Sequence, residues 1–492
     1  MQNSYERRPI ERRIWLADIF RSRRGLKDVR AMGASSSRLS RPVGEKVSTA
    51  PIRGNHPRFH FFHRVLGTAS RPWLWLWLAN FLLAVAASAA TEPLTASQVK
   101  ELRKEIGDNF FVPDPLPALE AHTYRTFTPA SGVRAEGVTY TTQLGCRVPA
   151  VLYLPDPLPK NKIPGFVVVN GHGGDKYSWY SFYTGILFAR GGAAVLTYDV
   201  IGEGERNIHH RSGTRQHDTI QGGPVLGRHL AGLMITDVRQ AVAYLAQQPE
   251  VDCRRIAAGG YSMGSFVLSL AGSIEPRLHA CVLVGGGDLD GPGGFWDSSG
   301  KKMCQGYPYQ SLSFLGDRGA MIFALHADRG PLLIYNGLGD TVVAIPSHGP
   351  TFFADLRERA ARLHGGTNGV FEAGFAGTNC SHRPYWVTRP VVEWLDRQIH
   401  FPNWSPEKIR SLPEIKISVW AERNHVAIDK LYNTEEREGG AMALDVGVPG
   451  YPLDELNVFS PAEWTVEKTH CILETWCQAA EKDANSKNAG PP

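Results

Sequence analysis

Residues 255–266 read Arg255-Ile256-Ala257-Ala258-Gly259-Gly260-Tyr261-Ser262-Met263-Gly264-Ser265-Phe266, and this stretch decides the fold. A short apolar run ends in G-x-S-x-G, and an apolar helical stretch begins at Ser265. Strand, tight turn and helix in that order form the setting in which a serine is lifted clear of a sheet. The glycines have a physical reason. The serine takes a strained backbone conformation costing ~1–3 kcal/mol, and the residues two before and two after it pass too close for side chains. Ser262 is therefore the expected nucleophile.

Working outward, the sequence repeats a rhythm of short buried strands separated by helices. Strands are predicted at 165–170, 193–199, 255–259, 280–284, 331–336 and 369–373. A helix is predicted at 234–247, where Val238, Ala241, Val242 and Leu245 share one face, with others at 352–363 and 386–398. The fold class is α/β: a mostly parallel twisted sheet with helices on both faces. Residues 133–154 alternate apolar and polar and predict a β-hairpin; residues 91–132 lead into it, Pro-punctuated, with one helical stretch at 96–106. Residues 285–328 are too long for a bare loop and are read as an inserted, cap-like segment over the catalytic edge. Residues 133–400 form the catalytic domain, and residues 401–492 form a C-terminal extension with a helix at 461–480.

A nucleophilic serine needs a base, and the base needs an orienting acid. After a G-x-S-x-G serine these follow as Asp or Glu, then His. Strand 331–336 runs into Gly337-Leu338-Gly339-Asp340, placing Asp340 at a strand's C-terminal end; Asp328 precedes that strand and faces the wrong end. Gly377-Thr378-Asn379-Cys380-Ser381-His382 follows the last strand, making His382 the expected base ahead of His348, His364 and His400. An oxyanion hole needs two backbone N–H groups aimed at developing charge. Met263 supplies one; the loop Gly171-His172-Gly173-Gly174 supplies the other, from Gly173 or else His172. Trp179, Tyr180, Trp296 and Tyr307 are candidates for a substrate-binding wall. His209, His210, His217 and Asp218 crowd one stretch without clean metal-ligand spacing and are read as a solvated loop. Glu203, Glu205 and Arg206 are read as a buried brace rather than as substrate contacts.

Gly171-His172-Gly173-Gly174-Asp175-Lys176, Tyr198-Asp199-Val200-Ile201-Gly202-Glu203-Gly204-Glu205-Arg206 and Gly260-Tyr261-Ser262-Met263-Gly264 together carry a resemblance. Over roughly 133–399 the chain resembles the α/β-hydrolase family of bacterial acetyl xylan esterases and dienelactone-hydrolase-like proteins. The resemblance implies the α/β-hydrolase fold and carboxylic ester hydrolysis, often deacetylation of carbohydrates, with no metal and no cofactor. Two features depart from the pattern. Dienelactone hydrolases proper use cysteine where this chain has Ser262, and 285–328 and 401–480 have no counterpart in a minimal esterase. Small-molecule or polysaccharide esters are the expected partners. The alternatives are a serine peptidase of the prolyl-oligopeptidase type and a catalytically inactive binding protein on the same fold. A peptidase of that type would carry a large propeller before its catalytic domain.

Charge is unevenly placed. Residues 1–72 carry 16 Lys/Arg against 5 Asp/Glu, whereas the remaining 420 carry 37 against 43, so no basic groove for nucleic acid is indicated. Trp73–Ala90 is an uncharged apolar run ending in small residues, read as a secretory core with its cleavage site and hence as secreted or periplasmic placement. An uncleaved membrane anchor is the alternative. Because a signal peptide does not normally carry 72 residues before its core, translation is expected to begin later, at Met32 or the codon of Val65. Seven cysteines are too few for a disulfide framework, and the odd count leaves at least one thiol unpaired.

Overall fold

The computed structural model describes residues 92–366, 369–428 and 441–488. The basic leader and the apolar run at 73–90 lie outside them. Nine strands form one sheet: β1 His122–Ala130, β2 Val133–Thr141, β3 Arg147–Pro155, β4 Ile163–Val169, β5 Ala194–Tyr198, β6 Val251–Tyr261, β7 Ala280–Val284, β8 Leu332–Gly337 and β9 Glu372–Ala376. Their spatial order is β1-β2-β3-β5-β4-β6-β7-β8-β9. Pairing is antiparallel from β1 through β3 to β5 and parallel from β5 to β9. The chain runs from β4 to β5 on one side, then returns to β6 on the other. The loops after β4 and β6 thus diverge at a switch point, where open α/β sheets hold their ligands.

The central strands are apolar on both faces because both faces are covered. Val167 and Val169 of β4 face one core with Leu196, Ile256, Leu283 and Ile334. Phe166 and Val168 face the other with Val195, Ala257, Val282 and Leu333. Helices Ala96–Asn109, Pro224–Gln247, Met263–Ile274, Arg318–Ala327 and Ile345–His364 pack on the first face. Helices Trp179–Arg190 and Arg389–Ile399 pack on the second. The contact between Ala96–Asn109 and Pro224–Gln247 is close: a Cβ at Gly232 would lie 1.7 Å from the Phe110 carbonyl oxygen. Gly232→Ala is expected to cost about 1–3 kcal/mol through the forced backbone shift, measured by urea denaturation; an unchanged midpoint would contradict this packing.

Four expectations need correction. The lead-in contains β1, whose polar residues and largely exposed face gave no apolar alternation to read. The last strand is Glu372–Ala376 rather than 369–373; Val370 and Phe371 are buried among the helices of the first face before the strand begins. Residues 285–328 are not all insertion, since Arg318–Ala327 is the crossover helix between β7 and β8. The extension is structural. Trp420 is buried, with its indole N–H donated to Val448 O at 2.8 Å, and Tyr183 donates to Leu444 O at 2.8 Å. The helical stretch expected at 461–480 is two helices, Pro461–Cys471 and Leu473–Asn488. Leu473, Trp476 and Ala480 of the second join the first core. All seven cysteines are free.

Candidate active site

β6 ends at Tyr261, Ser262 turns the chain at φ +58° and ψ −119°, and the helix begins at Met263. Only glycines fit around this turn. A Cβ at Gly260 would lie 2.5 Å from Gly264 O, and one at Gly264 would lie 2.1 Å from Val169 O. Ser262 N–H donates to Val284 O at 2.9 Å, which ties the turn to the end of β7. Met263 N–H belongs to the first turn of the helix, whose amides have no acceptor within it, so it is available to a developing negative charge.

Asp340 follows β8 and is fully buried. Its Oδ1 accepts Val342 N–H at 3.0 Å, and its Oδ2 lies 2.7 Å from His382 Nδ1. A carboxylate only accepts, so Nδ1 carries the proton and Nε2 keeps its lone pair. The loop bearing His382 is fixed from behind. Gly339 N–H donates to Cys380 O at 2.8 Å, and the His382 carbonyl accepts from Tyr261 Oη at 3.3 Å. The ring leans on Tyr261 with centroids 4.8 Å apart. Gly285, directly after β7, is its other wall; a Cβ there would lie 2.7 Å from His382 Cε1. Ser262, bonded to Val284, and His382, against Gly285, thus flank two consecutive residues of one strand end. Among the described residues no hydrogen bond joins Ser262 Oγ to His382; catalytic hydrogen bonds often tighten only when substrate binds.

The other histidines have different tasks. His348 lies 3.0 Å from Asp288 and 3.5 Å from Asp290, and these two carboxylates raise its pKa to about 9, which favours the charged ring over a free base. His364 pairs with Asp328, which also holds Arg103.

The loop after β4 passes over the serine: a Cβ at Gly171 would lie 2.7 Å from Tyr261 O and 2.9 Å from Ser262 Cβ. His172 and Gly173, with Gly173 at φ +72°, line a cavity of about 290 Å³ together with Trp179, Tyr180, Arg215 and Ile428. Sequence reasoning missed Arg215 and Ile428, which arrive from a polar loop and from the extension without any motif. Trp296 does not belong to a substrate wall. It is fully buried, stacked on Phe266 at 5.0 Å, and donates to Asp288. Tyr307 also lies outside this cavity, with its ring against Gly227.

Behind the loop lies a buried charged brace. Lys176 Nζ sits 2.5 Å from Asp199 and 2.8 Å from Glu205, and Arg206 sits 2.5 Å from Asp237, all essentially inaccessible. Glu205 also accepts the N–H groups of Val458 and Phe459, each at 3.0 Å. Burial raises two neighbouring carboxyls, Asp175 and Glu203, each to about 7. The reading of His209, His210, His217 and Asp218 as one solvated loop needs correction. His209 is exposed, but His217 is fully buried and faces His172 across stacked rings 5.4 Å apart.

The model of the family described as "Alpha/beta hydrolase family" matches residues 166–443, more than half of the chain. The chain belongs to the alpha/beta hydrolase family. Among solved structures, the methylesterase BT1017 is similar at 20% identity, covering 80% of this chain and 76% of that one, with a TM-score of 0.51. Acetyl xylan esterase 1 from a Thermoanaerobacterium species is 16% identical over 64% of this chain and 96% of that one, with a TM-score of 0.40. A glucuronoyl esterase from Teredinibacter turnerae is 14% identical over 62% and 86%, with a TM-score of 0.43. No curated protein matches. Among the described residues no helix is long and apolar enough to cross a membrane.

Proposed function

We propose that this hydrolase cleaves carboxylic esters through an acyl-enzyme on Ser262, with His382 as general base and Asp340 as its orienting acid. One observation carries the reading: a buried carboxylate 2.7 Å from the inner nitrogen of His382, at the strand edge where the strained serine also sits. His382 takes the Ser262 proton as Oγ attacks the ester carbonyl. The oxyanion is held by Met263 N–H and an N–H of the His172–Gly173 loop, and the alcohol leaves with the proton from His382. Water then hydrolyses the acyl-enzyme by the same route in reverse. The cavity of about 290 Å³ is lined by Tyr261, next to the serine, and not by Ser262, Asp340 or His382 themselves; its size would take a short acyl group or a single sugar ring, and we place the substrates among short-acyl and carbohydrate esters. Trp179 and Tyr180 supply the aromatic wall. We read the apolar run at 73–90 as an export signal; N-terminal sequencing of the native protein tests this, and a mature chain retaining residues 2–71 would refute it.

The test of the chemistry is labelling by a fluorophosphonate probe together with turnover of p-nitrophenyl acetate, acetylated xylan and uronate methyl esters. Labelling on Ser262 is expected; a probe-inert protein would overturn the proposal. Asp340→Asn should leave the fold intact and lower kcat by about 10⁴, because the imidazole then takes the wrong tautomer. Gly285→Ala should displace the His382 ring and cost about 10² in kcat/KM, whereas an unchanged value would mean that the ring adapts.

A further inference from the structure

Four potential ligand atoms from three separate segments converge beside the loop after β4: His172 Nε2, His217 Nε2, an Asp218 carboxylate oxygen and Cys304 Sγ. His172 follows β4, His217 and Asp218 lie in the short helix Gln216–Thr219, and Cys304 lies in the segment between β7 and its crossover helix. All four atoms fall within 4.8 Å of one another. His172 Nε2 is 3.1 Å from Asp218 Oδ1 and 3.2 Å from Cys304 Sγ. Cys304 Sγ and His217 Nε2 are each 3.3 Å from Asp218 Oδ1. Ligands around a tetrahedral zinc, at its usual bond lengths, stand roughly 3.3–3.8 Å apart.

The proton inventory argues for a cation at the centre. His217 Nδ1 lies 3.0 Å from Ile201 O, and a carbonyl can only accept, so Nδ1 carries the ring's proton. Nε2 then presents a lone pair, fully buried and without a hydrogen-bond partner, toward a carboxylate oxygen that is also an acceptor. Two acceptors at that separation repel unless a proton or a metal ion lies between them. The imidazole fixed through its far nitrogen by a backbone carbonyl is also the arrangement that orients metal-bound histidines.

We propose that His172, His217, Asp218 and Cys304 bind one zinc-class divalent cation. Binding forms four bonds to the metal and breaks the Cys304 S–H bond, whose proton passes to solvent. The thiolate and carboxylate then balance the two positive charges. Lys301 stays on the other carboxylate oxygen, Asp218 Oδ2, at 2.7 Å. Four protein ligands leave no open position, so the site is structural. It clasps the inserted segment and the 216–219 turn to the loop that faces the nucleophile. The metal can enter from the cavity side, which His172 lines. Nothing here depends on Ser262, and Ser262→Ala should keep the metal.

Elemental analysis of the full chain purified without chelator is expected to find about one zinc per chain. After chelator treatment, Co²⁺ titration should end at one equivalent with a thiolate-to-cobalt absorption band. Cys304→Ser should lose that band, Cys304→Ser with His217→Ala should lose stoichiometric binding, and Cys253→Ser, at an exposed thiol, should retain both. The proposal is overturned if the wild-type protein holds only trace metal and gives no band, or if the band survives Cys304→Ser. Should the Cys304 variants fail to fold, the wild-type stoichiometry and band decide alone.

Discussion

Replacing Ser262 by alanine is expected to lower turnover of p-nitrophenyl acetate by roughly 10⁶-fold, the loss seen when a triad nucleophile is removed, and to abolish fluorophosphonate labelling. Alanine keeps a Cβ at φ +58°, so the backbone strain stays and the melting temperature should hardly move. Ser262→Gly removes the same hydroxyl and also the steric conflict of a positive φ, which should add about 1 kcal/mol of stability. Equal inactivation with unequal stability, unchanged in one variant and raised in the other, separates chemistry from architecture. Measured by steady-state kinetics and calorimetry, retention of even a few per cent of wild-type activity in Ser262→Ala would remove Ser262 from the mechanism.

Lys176→Met should be the most damaging single change to stability, by about 3–5 kcal/mol, because removing one partner leaves buried charge without compensation. Here two carboxylates depend on one ammonium: Asp199 at 2.5 Å and Glu205 at 2.8 Å, both inaccessible to water. The methionine fills similar volume, so a large loss reports electrostatics rather than a cavity. Adding Glu205→Gln should restore part of the stability by discharging one of the stranded groups. Urea denaturation measures both; a loss below about 1 kcal/mol in the single variant would show that the carboxylates neutralise themselves by taking up protons.

How much of this was legible in sequence depended on whether a residue's task is local. The turn at Ser262 is dictated by its own glycines, and the sheet by strands apolar on both faces, so both could be read directly. Asp340 and His382 could be placed by their order along the chain and their position at strand ends, although their pairing is a tertiary fact. Periodicity failed where the burden was not apolar burial, as in β1, an edge strand of mostly polar residues. It misled at 369–373, where Val370 and Phe371 are apolar for the helices and not for the strand. Trp296 shows the opposite hazard, since an aromatic near a cleft in sequence is core in space. The grouping of His172, His217, Asp218 and Cys304 was illegible because its members come from segments up to 132 residues apart.

Glu205 accepts its last hydrogen bonds from Val458 and Phe459, 253 and 254 positions further along the chain. On the ribosome, the strands and the nucleophile turn are therefore made long before this carboxylate can be completed. Until the segment bearing Val458 and Phe459 docks, Glu205 has Lys176 as its ion-pair partner but lacks these two backbone donors. A chain ending shortly after residue 400 would contain Ser262, Asp340 and His382 yet lack the two N–H groups that complete the partners of Glu205.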